Sequence, residues 1–264
     1  MPSSKFRQPA LFISHGTSYE AFKSEKLKND FKKIREIHVS TLPDTVVIFS
    51  GHWQTQITSV TSSKLMNEME EGLPSESQSK NIIRGNPELA SEILELLNTK
   101  GMRAIANSNR GLDHGALIPL HLLFSNEEIK VIQISQRYDL DPHYHKQVAG
   151  VLKPLRDDNI LFIGSGGLVH NINKIQPFGG HDIAPDSWAS EFDSYITTQL
   201  NDETNDDYTS KVIKAYNHEH FKISHPTTEH YLPLVFTTAL GDKPTKIYQA
   251  FQWKNLSMTA FKFE

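Results

Sequence analysis

The sequence has no cysteine. That one absence excludes disulfides, iron–sulfur clusters, thiolate zinc sites and a cysteine nucleophile. Any metal site must therefore be built from His, Asp, Glu or backbone oxygens. No apolar run is long enough to span a membrane, and the first ten residues, MPSSKFRQPA, lack the apolar core of a secretory signal. A cytoplasmic protein with no membrane partner is expected. Positive charge is not in surplus either. The 27 Lys and Arg against 31 Asp and Glu leave a net charge of −4. Binding a phosphate backbone needs a basic face, so no nucleic-acid partner is expected. No internal repeat, Pro/Ser/Gly linker or shift of composition divides the 264 residues. The chain therefore reads as a single domain over 1–264, a length within the range of large α/β domains, as a monomer or small homo-oligomer.

What is present is an alternation of short apolar runs with helical patterns. Strands are predicted at Pro9–Ser14, Thr45–Ser50, Gln56–Thr61, Met102–Ala106, Ile129–Ser135, Ile160–Gly164, Lys246–Gln252 and Leu256–Lys262. Helices are predicted over 18–37, 87–99, 115–124, 141–155, 187–200, 206–217 and 228–240. Pro87 after Asn86, and Pro142 after Asp141, mark two helix starts. Residues 62–80, rich in Ser, Glu and Gly, read as a long loop. The alternation predicts an α/β fold: a central mixed, largely parallel sheet with helices on both faces.

The 13 histidines are the informative residues. His15 follows LFIS, His52 follows VVIFSG and His170 follows LFIGSGGLV, so each is placed just beyond a predicted buried strand. Open α/β sheets bind ligands at the carboxyl ends of their strands, so the three can converge on one crevice. His114 lies in GLDHG and His230 in HPTTEHYLP. His38, His121, His181, His218 and His220 read as surface or packing residues. Imidazole suits Zn, Fe, Cu and Ni rather than Mg or Ca.

The segments LFISHGTS, FSGHWQT, GLDHGALIPL, IGSGGLVHN and HPTTEHYLPL, in this order and at these distances, resemble the class III extradiol ring-cleavage dioxygenases, specifically the small single-chain members of 4,5-DOPA dioxygenase type. The resemblance runs from about Ala10 to the last strand. It implies a single catalytic domain that opens the ring of a catechol-type substrate, such as a DOPA-like diol, with O₂ at a non-heme metal. It implies that His15, His52 and His230 hold one divalent ion, Fe(II) or Zn(II), with His170 in or beside the coordination sphere. It assigns His114 as the acid/base residue. A catechol must lose protons to chelate a metal, and His is the side chain suited to accept them near neutral pH.

The residues depart from the common iron pattern of two His and one carboxylate. Glu229 adjoins His230, and the sequence leaves open which of them faces the metal; the resemblance favours His230. His225 reads as a helix-entry residue and Trp53 as a pocket wall or a packing residue. His145, in DPHYH at a helix start, reads either as a solvated helix histidine or as a candidate substrate-binding residue that would reach the crevice from the preceding strand. Two other functions use the same residues. One is a zinc-dependent hydrolase with Glu229 as general base. The other is a binding protein of this fold without catalysis, against which the presence of all five histidines argues.

Overall fold

A computed structural model describes residues 6–68, 83–125, 127–177, 183–203 and 207–264. In chain order the elements are β1 (Ala10–Ser14), α1 (Ser18–Lys23), α2 (Glu25–His38), β2 (Thr45–Thr55), β3 (Thr58–Thr61), β4 (Leu65–Met66), β5 (Ile83–Arg84), α3 (Pro87–Thr99), β6 (Ala104–Asn107), α4 (His114–Phe124), β7 (Lys130–Arg137), α5 (Pro142–Leu152), β8 (Ile160–Gly166), α6 (Ser187–Asn201), α7 (Tyr208–Lys214), α8 (Phe221–Ser224), α9 (Leu232–Leu240), β9 (Pro244–Tyr248), β10 (Phe251–Gln252), β11 (Leu256–Ser257) and β12 (Ala260–Phe263).

Eight strands form one sheet in the order β6-β3-β7-β2-β8-β1-β12-β9. The middle four, β7, β2, β8 and β1, are mutually parallel. The antiparallel pairs β3–β7, β1–β12 and β12–β9 make the sheet mixed. Side chains alternate across a strand, and here each central strand divides its apolar residues between two cores. Ala10, Phe12, Val47, Phe49 and Phe162 face one side, where Ile93, Leu97, Val148 and Phe236 of α3, α5 and α9 cover them. Leu11, Ile13, Val46, Ile48, Leu161 and Ile163 face the other, under Phe31, Ile34, Leu117 and Leu122 of α2 and α4. This double burial explains why the strands read as unbroken apolar runs.

Several boundaries differ from expectation for local reasons. The helix predicted over 18–37 breaks at Ser24, whose extended backbone ends α1 while its hydroxyl caps α2 by accepting from Leu27 N. The helix predicted from residue 228 begins at Leu232. The two C-terminal strands are four. Trp253 and Lys254, with φ of 45° and 71°, turn the chain between β10 and β11, a conformation for which neither residue type has a preference. Of the predicted 62–80 loop, Leu65–Met66 pairs with Ile83–Arg84, and residues 69–80 lie outside the described residues, as does His181.

Arg156 fastens the parts of the chain that lie farthest apart in sequence. It is fully buried and donates to Gln8 O (2.8 Å), Leu240 O (2.7 Å), Glu264 O (3.1 Å) and Phe263 O (3.3 Å). Burial lowers its pKa to about 10, so it stays protonated at neutral pH. Truncating it strips partners from several buried carbonyls and leaves a cavity. Arg156→Ala is therefore expected to cost at least about 3 kcal/mol of stability, read as a lowered urea midpoint.

His145 supplies a second test. Its ring is buried; Nδ1 donates to Asp141 O (2.7 Å) and Nε2 accepts from Arg137 N (3.0 Å). Burial lowers its pKa to about 4, whereas the unfolded chain binds a proton at about 6.5. Neutral His145 thus contributes stability that is fully present above pH 6.5 and is lost as pH falls from 6.5 towards 4, by up to about 1.4 kcal/mol per pH unit. His145→Gln should flatten the dependence of unfolding free energy on pH in that window by close to one proton.

Candidate metal centre

The site is built on the carboxyl edge of the parallel strands. Ser14 of β1 pairs with Gly166 of β8, and Ser165 of β8 with Ser50 of β2, so these three strands end at one level. His15 is the first residue after β1, and its N–H is held by Gly166 O (3.1 Å). β2 runs on beyond that level to Thr55, and its pairing with β7 is irregular between Phe49 and Gln54. His52 therefore sits in a bulged stretch within the strand rather than beyond its end, and such a bulge re-aims a side chain. His114 is the first residue of α4, capped by Asp113, one residue before the predicted helix start.

The segment carrying Glu229 and His230 crosses these strand ends just before α9. Gly167 N donates to His230 O (2.9 Å) and Gln136 Nε2 to Glu229 O (2.6 Å). The approach is so close that a Cβ on Gly166 would lie 2.1 Å from His230 O, which only glycine avoids.

Three imidazoles meet as a result. His52 Nε2 lies 3.2 Å from His15 Nε2 and 3.1 Å from His230 Nε2. One donor atom from each of the three lies within 4.8 Å of the others. The far nitrogens fix the tautomers. Ser165 Oγ donates its proton to Gly115 O, so it must accept from His15 Nδ1 (3.0 Å). Glu229 Oε1 accepts from His230 Nδ1 (3.0 Å). In both rings the proton is thereby held on Nδ1 and the Nε2 lone pair points inward. This is the outer-shell arrangement of metal-ligating histidines. Nitrogens held about 2.0–2.1 Å from one ion lie about 3.0 Å apart at right angles and about 3.4 Å apart at tetrahedral angles. The separations from His52 to His15 and to His230 fall between these, so the trio fits a single divalent ion.

The electrostatics match. Burial first, then the neighbouring imidazoles, holds His15 and His230 well below the ordinary histidine range. Burial and the proximity of His114 bring His52 to about 4, against an opposing pull from Asp113. Burial brings His170 to about 4 as well. All four are neutral at physiological pH, as metal ligation requires.

The other candidate residues fall into place around the trio. The His170 ring stacks flat on His230, with centroids 3.5 Å apart and planes within 5°. His170, Glu229 and His230 also bring one donor atom each within 4.8 Å. The His114 ring lies against His52 (3.8 Å between centroids) and edge-on to His15 (6.0 Å). His145 is not brought to this cluster: its ring meets Phe49 and Tyr144, and backbone groups engage both its nitrogens. His225 caps the end of α8 rather than opening a helix, with Nε2 donating to Leu168 O (2.8 Å). Trp53 is buried beneath the guanidinium of Arg110 (4.6 Å). His121 packs on Phe22, and His220 pairs with Glu191. Sequence reasoning missed Ser165 and Ser50. Their only signal was their position at the ends of buried strands.

Comparison with known proteins agrees with this geometry. The family model described as the catalytic LigB subunit of aromatic ring-opening dioxygenase matches residues 9–263. A protein of Beta vulgaris named 4,5-DOPA dioxygenase extradiol is 34% identical over 261 residues, spanning 96% of this chain and 95% of the relative. The protein of that name from Escherichia coli K12 is 28% identical, spanning 97% and 94%. A crystal structure of an uncharacterized Escherichia coli K12 protein superposes with a TM-score of 0.79 at 26% identity, covering 98% of this chain and all of the other. With a match over nearly its whole length and three inward-facing imidazoles at the carboxyl edge of the sheet, the chain belongs to the LigB family of aromatic ring-opening dioxygenases.

Proposed function

We propose that this protein is an extradiol dioxygenase that opens a catechol-type ring beside its two hydroxyls, incorporating both atoms of O₂, with DOPA-like diols as the substrate class. The observation that carries the reading is the convergence of His15, His52 and His230 through Nε2, with two of the tautomers fixed from outside. These three residues hold the ion, and His170 stands beside them. A bound divalent ion, Fe(II) for turnover with Zn(II) as the other occupant these ligands accept, would supply the positive charge that draws the diol oxygens and the redox capacity to engage O₂.

The chain's own residues handle protons and positions. His114 borders the trio beside His52, and among the described residues no hydrogen bond engages its ring nitrogens. It is placed to take a proton from a diol hydroxyl and return it as the ring opens. Glu229 braces His230 through Nδ1, a task that differs from the general-base role a hydrolase would need. A cytoplasmic setting is part of this reading; among the described residues no helix is long and apolar enough to cross a membrane.

The direct test is to purify the protein anaerobically, load it with Fe(II), and supply O₂ with a panel of catechols. Yellow ring-opened product with one O₂ consumed per ring is expected. Ester hydrolysis that proceeds without O₂ would instead favour the hydrolase. His15→Ala and His52→Ala should each lose stoichiometric metal by elemental analysis while keeping wild-type circular dichroism. His114→Ala should keep its metal and still bind catechol, with kcat reduced about 10²- to 10⁴-fold and KM little changed. Full metal content together with wild-type kcat in that variant would remove His114 from the mechanism.

A further inference from the structure

Asp113 is buried and accepts four hydrogen bonds from four different parts of the fold. Its Oδ1 accepts from Ala116 N (3.1 Å) in α4 and from Ser50 Oγ (3.1 Å) in β2. Its Oδ2 accepts from Gln133 Nε2 (2.5 Å) in β7 and from Arg110 Nη2 (3.0 Å) in the preceding loop. A helix cap needs only the first of these, and serine or threonine would supply it. The other three bonds tie the start of α4 to two sheet strands and to the approach loop.

Two consequences converge on the site. Ser50 Oγ accepts from His52 N (3.1 Å), so the carboxylate reaches the backbone of His52 through one hydroxyl. On the other side, His114 follows Asp113 directly in the chain. The joint is tight: a Cβ on Gly115 would lie 2.3 Å from Ser50 Oγ and 2.8 Å from His52 Cδ2. The first turn of α4 thus lies directly on the Ser50 and His52 side chains, and one carboxylate bridges the two elements.

We propose that Asp113 is a positioning residue that sets the separation of the His52 and His114 rings, and hence of the metal-holding from the proton-handling imidazole. The inference rests on the dioxygenase reading above. It concerns placement: Asp113 touches neither substrate nor ion, and it acts through Ser50 on one side and through the first turn of α4 on the other.

The test compares three variants with the wild type. Asp113→Ser keeps a capping oxygen for Ala116 N but is too short to serve Ser50, Gln133 and Arg110. Asp113→Asn keeps the cap but turns an amide donor towards two other donors. Asp113→Asn combined with Gln133→Glu moves the negative charge across the same contact and restores a donor–acceptor pair. For each, Zn(II) affinity is measured by chelator competition. kcat and KM are measured on the Fe(II)-loaded, folded fraction with the catechol that the wild type opens fastest. The two single variants should lose about 10- to 100-fold in metal affinity or kcat with KM changed less than threefold. The double variant should recover at least tenfold of a hundredfold loss. Folded, loaded Asp113→Ser with wild-type Zn(II) affinity and kcat would overturn the proposal, whatever its melting temperature, since a purely structural cap predicts that result. A double variant no better than Asp113→Asn alone would also overturn it. The wild-type control separates the two failures. If the wild type neither binds metal nor opens a catechol, the dioxygenase reading fails and this inference falls with it. If the wild type does both and the variants match it, only the inference fails.

Discussion

Three imidazole nitrogens crowd one point at the carboxyl edge of this sheet, and in two of the rings an outer hydrogen bond turns the Nε2 lone pair inward. Much of the surrounding structure is what keeps them there. Ser165, itself committed to the Gly115 carbonyl, fixes the tautomer of His15. Glu229 fixes that of His230. Gly166 lets the segment before α9 lie directly on the strand ends, the N–H of Gly167 holds it there, and Gln136 ties it down from β7. None of these contacts needs to reach an ion. Their effect is to prevent the rings from turning apart, which is the relaxation that crowded neutral imidazoles would otherwise take.

The same crowding settles the competition between metal and proton. A histidine in water gives up its proton only near pH 6.5, and a divalent ion must displace whatever proton remains. Burial and mutual repulsion remove that proton in advance from His15, His52, His170 and His230. The site is therefore ready for a cation before one arrives. The cost falls on folding, because each neutral buried ring opposes the unfolded chain's affinity for protons. A cluster of this kind has to rest on a large rigid core, which the double-faced sheet supplies.

Much of this was legible in the sequence, for a physical reason. Strands buried on both faces must be apolar throughout, so LFIS, VVIFS and ILFIG announce themselves, and the His residues that follow are placed by the rule of strand ends. What was illegible depends on contacts distant in sequence. His52 reads as lying past its strand, yet the strand continues through a bulge that only its pairing with β7 reveals. His145 looks available in DPHYH, but the amide of Arg137 and the carbonyl of Asp141 occupy its ring. His114 reads as a loop residue between glycines. Gly115 instead allows helix α4 to touch β2, and His114 becomes the helix's first residue. Asp113 has four partners of which only Arg110 and Ala116 are near in sequence.

The place of β12 in the sheet has a consequence for how the protein is made. Residues 260–263 lie against β1, the strand that delivers His15, and Ser14 donates to Thr259 O from the same seam (2.7 Å). Arg156 closes the joint by gripping carbonyls from Gln8 to Glu264. On a translating ribosome β1 emerges first and its second neighbour more than two hundred residues later. Until then β1 presents one unpaired edge, and the first of the three imidazoles has only β8 to steady it. Assembly of the site is thus a late event in biosynthesis, and a chain interrupted shortly before residue 260 would carry every one of these histidines without the seam that holds the first in place.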